Sequence, residues 1–276
     1  MRCAVLGDPI EHSLSPVLHQ AGYAALGLDW TYEAVRVRSG GLVDFLAGGG
    51  DWRGLSLTMP LKREVLALGD EISERARLAG AANTVVFDDG RLLLDNTDLP
   101  GAVAAVTKRF AGSITDVTIL GAGATAASLG LALCDLGARR VRVLSREETR
   151  SAQTLSTIAA HRATPEVTWG DLADLGAGPG ARPTGEAVVS TIPVEAQGSA
   201  LVEACGDVPL VFEALYDPWP TPLAVAALAR GQVLVGGLDL LVHQAALQFE
   251  LFTSQAAPLE QMRAAGQAAL DARSRG

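Results

Sequence analysis

Lys62 and Asp98 are the residues of this chain best suited to proton chemistry. Lys62 closes the run Gly54-Leu55-Ser56-Leu57-Thr58-Met59-Pro60-Leu61-Lys62, and Asp98 closes Leu94-Asp95-Asn96-Thr97-Asp98. A lysine ammonium supplies both charge and a proton, and a nearby carboxylate orients it. Taken singly, these residues have ordinary readings. A lysine after a proline is commonly surface charge, Asn83-Thr84 is plain loop chemistry, and Asp-Asn-Thr is common in turns. Together they set Ser, Thr, Lys, Asn and Asp at the carboxyl ends of successive strands, where open α/β sheets bind ligands. Ser13 and Ser15 lie two residues apart at a helix start, within Gly7-Asp8-Pro9-Ile10 and His12-Ser13-Leu14-Ser15-Pro16. Two hydroxyls there can donate to one carboxylate, helped by the partial positive charge of a helix end. Pro16 suits the first helical turn, and the structural role for Ser15 is the N-cap.

A second constellation follows in the sequence. Val117-Thr118-Ile119-Leu120 runs into Gly121-Ala122-Gly123-Ala124-Thr125-Ala126. A strand, a glycine turn and a small-residue helix start suit a pyrophosphate. The first glycine permits the tight turn, the second lets the backbone approach, and the small Ala126 allows close packing. The next strand ends in Leu144-Ser145-Arg146, with no carboxylate to accept from a ribose 2′-hydroxyl. Arg146 can pair with a 2′-phosphate in a planar fork, which favours NADP over NAD. Arg150 could cover the adenine face. Glu147 and Glu148 beside Arg146 weigh against this, since acids repel a phosphate.

The elements that must position these groups alternate in a βαβ rhythm. Strands are expected at 2–6, 31–37, 54–57, 84–87 and 91–94, and again at 117–120, 141–144, 187–190, 210–213 and 233–235. Helix-length stretches at 15–26, 122–136 and 222–229 lie between them, and Gly176 to Gly180 reads as a loop. This pattern predicts an α/β protein: an N-terminal α/β substrate domain with a mostly parallel sheet, plus a Rossmann-like dinucleotide-binding domain. The boundary falls near Leu99–Val103. Apolar positions Leu240, Leu241, Leu247 and Leu251 predict a C-terminal helix pair that returns to the first domain. The expected division is 1–100 with 238–276 for substrate and catalysis, and 101–237 for NADP.

Composition narrows the class of function. The 276 residues carry a formal net charge of −9, which argues against nucleic acid or an anionic membrane as the main partner. No apolar run is long enough to span a bilayer, and no signal peptide is read at the start. Cys3, Cys134 and Cys205 are far apart and odd in number, as expected of buried thiols in a reducing cytoplasm. His12, His19, His161 and His243 show no metal-ligand spacing, so no metal is expected. The expected partner is a small molecule, with monomer and homodimer both open.

The combination resembles the shikimate dehydrogenase family over almost the whole chain. Gly7 to Pro16 fits Gly-x-Pro-Ile-x-His-Ser-x-Ser-Pro, Leu57 to Lys62 is similar to Val-Thr-x-Pro-x-Lys, and Asn83-Thr84 and Asp95 to Gly101 follow in order. Ser190-Thr191-Ile192-Pro193, Tyr216-Asp217-Pro218, Thr221-Pro222-Leu223, and Gly237 with Gln244-Ala245 continue the order. The resemblance implies NADPH-dependent reduction of 3-dehydroshikimate to shikimate. It implies that Ser13 and Ser15 hold the carboxylate, and that Thr58, Lys62, Asn83, Asp98 and Gln244 hold the ring hydroxyls. Tyr216 would join the substrate contacts. Lys62 and Asp98 would carry the proton chemistry, because hydride addition to a ketone builds charge on oxygen that needs a donor. Gly121, Ala122, Gly123, Ala124, Thr125, Ser145, Arg146, Ser190, Thr191 and Ile192 would hold the cofactor, with Gly237 and Leu240 near its nicotinamide. Gln20, Ser56 and Ser145 stand where the family usually has Asn, and Glu213 where it has Asp. Ser145 keeps a hydroxyl for the 2′-phosphate but loses an amide.

Two other readings stay open. One is a quinate dehydrogenase using NAD; the serine at position 15 leans against it, since relatives that accept quinate tend to carry Thr there. The other is a catalytically silent regulator that binds shikimate or NADP. The retention of both Lys62 and Asp98 argues against that.

Overall fold

The computed structural model describes residues 1–178 and 181–273. Pro179 and Gly180, part of the expected loop from Gly176, lie outside the described residues. The chain divides into two compact units, Met1–Gly101 with Leu241–Gly276, and Ala102–Leu240.

The first unit is built on a six-stranded sheet of β1 (Arg2–Gly7), β2 (Thr31–Arg36), β3 (Trp52–Leu57), β4 (Glu71–Ile72), β5 (Thr84–Asp88) and β6 (Arg91–Asp95). Its order is β2-β1-β3-β5-β6-β4. All neighbours pair in parallel except β5, which is antiparallel to both β3 and β6. The cause is local. Asp89 and Gly90 both adopt positive φ, 46° and 77°, as a tight hairpin turn between β5 and β6 requires. The amino end of β5 therefore lies at the same sheet edge as the carboxyl ends of β1, β3 and β6.

Five helices follow these strands: α1 (Ser15–Ala25), α2 (Leu42–Ala47), α3 (Leu61–Glu64), α4 (Glu74–Ala79) and α5 (Asp98–Arg109). Ser15 is not the N-cap of α1. It is the first helical residue, Leu14 precedes it, and the Ser15 N–H donates to Ser13 Oγ at 3.3 Å. The core of this unit is apolar residues such as Leu6, Leu55, Leu57, Val85 and Leu94, all buried. Each leucine taken from water contributes roughly 1.5–3 kcal/mol.

The second unit holds β7 (Asp116–Leu120), β8 (Arg140–Ser145), β9 (Glu166–Asp171), β10 (Ala187–Ser190), β11 (Leu210–Glu213) and β12 (Val233–Val235). All pairs are parallel, in the order β12-β11-β10-β7-β8-β9. Between them run α6 (Ala124–Asp135), α7 (Glu148–Ala159), α8 (Ser199–Ala204) and α9 (Pro222–Ala229). This is a doubly wound sheet whose strand order reverses at β7 and β10, the place where such folds bind ligands. Helix α6 is buried from Ala126 to Cys134, as its apolar character on every side demands. The chain ends in α10 (Gly237–Thr253) and α11 (Leu259–Arg273). Within the first unit α11 packs on α1.

Candidate active site

The antiparallel β5 explains why the polar groups meet. Asn83 precedes β5, while Asp95 ends β6 and Asn96-Thr97-Asp98 follow it, so the hairpin folds them side by side. Asn96 fixes the turn into α5: its Oδ1 accepts from the Leu99 N–H at 3.2 Å and its Nδ2 donates to Ala81 O at 2.9 Å. That cap places Asp98 at the start of α5. Lys62, on the short α3 after β3, reaches Asp98 Oδ2 at 2.6 Å. The two side chains are only 14% and 6% exposed. The other oxygen, Asp98 Oδ1, accepts from Asn83 Nδ2 at 2.9 Å.

The orientation of the Asn83 amide is fixed by chemistry. Its Oδ1 faces the Thr97 N–H at 2.8 Å, which can only donate. Its Nδ2 therefore points at Asp98, at Thr97 Oγ1 (2.9 Å) and at Gln244 Oε1 (3.2 Å). Gln244 arrives from α10 because Gly101 on α5 leaves no room for a Cβ. One built there would lie 2.9 Å from the Gln244 nitrogen.

The other expected substrate residues distribute unevenly. Thr58 is half-buried directly after β3, and its N–H donates to Leu6 O at 2.9 Å, which joins the ends of β3 and β1. Ser13 is half-buried and Ser15 buried, between β1 and α1. Tyr216 belongs to the second unit, half-buried in the loop after β11.

In the second unit Gly121 closes β7 with φ +104°, and a Cβ there would lie 2.3 Å from Thr191 Oγ1. Thr191 follows β10 and donates that hydroxyl to Leu120 O at 3.0 Å. Glycine turn and Thr191 thus meet at the reversal of strand order. Gly123 is exposed with open space where a Cβ would stand, and α6 begins at Ala124. The first-turn N–H groups of Ala124 and Thr125 lack intrahelical partners by geometry, as an anion site requires. Ala122 is braced from behind, its carbonyl accepting from Thr154 Oγ1 at 2.7 Å. Ser190 and Ile192 flank Thr191 and are buried. Gly237 opens α10 where a Cβ would lie 2.5 Å from Ala214 O in the loop after β11, and Leu240 is buried on the next turn.

The Ser145 hydroxyl is turned toward the interior of the second unit. It accepts from Trp169 Nε1 at 3.0 Å and shares a 2.5 Å hydrogen bond with Ser151 Oγ. Arg146 is exposed and makes no ion pair among the described residues, whereas Arg150 is held by Glu147 at 2.9 Å. The free cation at this strand end is Arg146.

Several polar residues were not singled out by spacing. Asp95 binds Arg75 through both oxygens and accepts from Ser73 Oγ at 2.7 Å. Burial pushes its carboxyl up, but these hydrogen bonds and the Arg75 charge outweigh that and hold it below the usual carboxylate range. Glu213, wholly buried at the end of β11, accepts from Gln197 Nε2 (2.7 Å), Thr221 Oγ1 (3.0 Å) and Leu215 N–H (3.1 Å). Burial there wins and raises its carboxyl. It anchors the loop that carries Tyr216. Gln248 is buried one helical turn beyond Gln244. Only the i, i+4 spacing of the two amides on one helix could have signalled it.

Comparison with known proteins places this geometry among relatives. Residues 5–85 match the family described as shikimate dehydrogenase substrate binding domain, and residues 237–265 match the shikimate 5'-dehydrogenase C-terminal domain. A shikimate dehydrogenase (NADP(+)) of Desulfitobacterium hafniense is 33% identical over 270 residues, spanning 95% of this chain and 96% of that one. The crystal structure of Mycobacterium tuberculosis shikimate dehydrogenase superposes with a TM-score of 0.84 at 37% identity, covering 97% of this chain and 99% of that one. A quinate dehydrogenase from Corynebacterium glutamicum in complex with NAD gives a TM-score of 0.86 at 26% identity, covering 97% and 99%.

Proposed function

The chain belongs to the shikimate dehydrogenase family, and from that premise we infer that it interconverts 3-dehydroshikimate and shikimate with NADP as the redox partner. The observation that carries the reading is the Lys62–Asp98 pair at 2.6 Å, largely buried, with Asn83 on the second carboxylate oxygen.

Ketone reduction needs a proton donor at the carbonyl oxygen, and a base at the same place in the reverse direction. Lys62 fills both roles. Asp98 holds its Nζ by one oxygen while Asn83 holds the other, so the carboxylate cannot swing away. Ser13, Ser15, Thr58, Gln244 and Tyr216 are the residues proposed to bind and orient the substrate. Two serine hydroxyls at the start of α1 suit its carboxylate.

The second unit fits a dinucleotide. Gly121 cannot carry a Cβ, Gly123 leaves the backbone open, and Arg146 is a free exposed cation. Gly121, Ala122, Gly123, Ala124 and Thr125 would hold the pyrophosphate and Arg146 the 2′-phosphate, with Ser145 supporting the loop beneath. Ser190, Thr191, Ile192, Gly237 and Leu240 would complete the binding surface. When bound, NADP supplies or accepts the hydride.

The test is a set of initial rates read at the nicotinamide absorbance band, crossing shikimate and quinate with NADP+ and NAD+. The highest kcat/KM is expected for shikimate with NADP+. A large preference for quinate with NAD+ would transfer the chain to the activity named for the Corynebacterium neighbour. Tight NADPH binding without turnover of either acid would make it a silent binder.

A further inference from the structure

We propose that Gln248 is a positioning residue for the reaction inferred above, on which this proposal rests: it closes a one-way chain of hydrogen-bond donors that ends on the Asp98 carboxylate. The chain can be followed atom by atom. Tyr32 OH donates to Ser56 Oγ, and Ser56 Oγ donates to Gln248 Oε1 at 2.8 Å. Gln248 Nε2 donates to Thr84 Oγ1 and to the Asn83 carbonyl, both at 3.0 Å. Thr84 Oγ1 then donates to Asn83 Oδ1 at 2.8 Å, and Asn83 Nδ2 donates to Asp98 Oδ1 at 2.9 Å.

The direction of this chain is not a matter of choice. The Asn83 carbonyl can only accept, so the Gln248 –NH2 must face it and the Gln248 carbonyl must face Ser56. The Thr97 N–H can only donate, so the Asn83 amide is fixed in turn. The Ser56 and Thr84 hydroxyl hydrogens are then each directed at an amide oxygen. Tyr32, Ser56, Gln248, Thr84, Asn83 and Asp98 are all 4% exposed or less, so no bulk water competes for these groups. A buried network with every member satisfied defines one arrangement, and losing a member leaves stranded polar groups. Gln248 joins α10 to β3 and to the start of β5. It thereby braces, through Thr84 and the Asn83 carbonyl, the amide that aims Asp98 at Lys62, without touching any of the reacting groups itself.

The experiment compares the parent chain with Gln248→Met, Thr84→Val and the double variant, using shikimate and NADP+. Methionine keeps the length of the side chain without its amide. Valine keeps the β-branched shape suited to a strand while removing the hydroxyl. Each single variant is expected to lower kcat about tenfold, with KM for shikimate changed by about twofold or less, since the loss is one of aim rather than of contact. The double variant is expected to lose no more than about the worse single one, because both break the same chain. KM for NADP+ stays at the parental value. If Gln248→Met fails to fold, Thr84→Val alone carries the kcat test. Variants that melt earlier yet keep parental kcat per folded molecule overturn the proposal, as do fully additive losses. A parent chain that does not oxidise shikimate overturns the functional reading and this inference with it. An active parent with parental kcat in both variants overturns this inference alone.

Discussion

Replacing Lys62 by methionine separates what the Lys62–Asp98 pair does for stability from what it does for chemistry. The side chains are 14% and 6% exposed and 2.6 Å apart. Methionine fills the space of the lysine stem but leaves a buried carboxylate without its cation. Removing one partner of a buried pair costs about 3–5 kcal/mol. With one side still reached by solvent, the low end applies, and about 3 kcal/mol corresponds to a fall in Tm of about 6–12 °C for a chain of this size. Turnover should fall by about 10²–10⁴, the usual weight of a positioned acid or base, with KM for shikimate changing far less. The second step is Lys62→Met combined with Asp98→Asn. The new amide still accepts from Asn83, and no uncompensated charge remains, so most of the Tm returns. Turnover does not return, because the proton donor is still missing. Calorimetry gives the Tm, and absorbance at the nicotinamide band gives the rates. If Lys62→Met keeps near-parental turnover, or if the double variant regains rate along with Tm, Lys62 is a structural residue and the mechanism is wrong.

Three further substitutions test separate parts. Gly121→Ala forces a Cβ into a φ of +104° and to within 2.3 Å of Thr191 Oγ1; fluorescence titration should show NADPH affinity down by about tenfold or more, since the conformation alone costs about 1–2 kcal/mol. Arg146→Gln should lower the kcat/KM preference for NADP+ over NAD+ by about tenfold, as expected on losing a charge-assisted pair with phosphate. Asp95→Asn bears on pH. Its folded carboxyl is held below the ordinary range, so its contribution is complete above that range and disappears as pH falls through the lowered value. Denaturant midpoints of parent and variant should therefore differ at neutral pH and converge in strong acid.

Much of the architecture was legible because buried parallel strands read as apolar runs. Val117 to Leu120, Ala187 to Ser190 and Leu210 to Glu213 stand out for that reason. Strand β9 was missed because it lies at a sheet edge, where Glu166-Val167-Thr168-Trp169 alternates polar and apolar residues. Strand β4 has only two residues, Glu71 and Ile72, too few to show any period. The reversal of β5 was written in Asp89-Gly90, a hairpin signal that a βαβ expectation overrides. At the site, Lys62, Asn83, Asp98 and Gln244 could be named because they sit at strand ends or recur in a family pattern. The inward turn of Ser145 could not, since it depends on Trp169 across an adjacent strand. Nor could the part played by Gln248, whose partners Ser56 and Thr84 lie more than 160 residues away.

The first unit is discontinuous along the chain, and that has a bearing on biosynthesis. Phe252 of α10 lies where Gly54 leaves space for its ring, and its carbonyl accepts from Arg53 Nε at 2.8 Å. These α10 groups are translated only after residues 102–240 have been made. The nascent front sheet must therefore wait on the ribosome with its partner surface bare, while the intervening sheet can already close. Since domains otherwise tend to mature in the order of synthesis, this molecule should finish its first unit last.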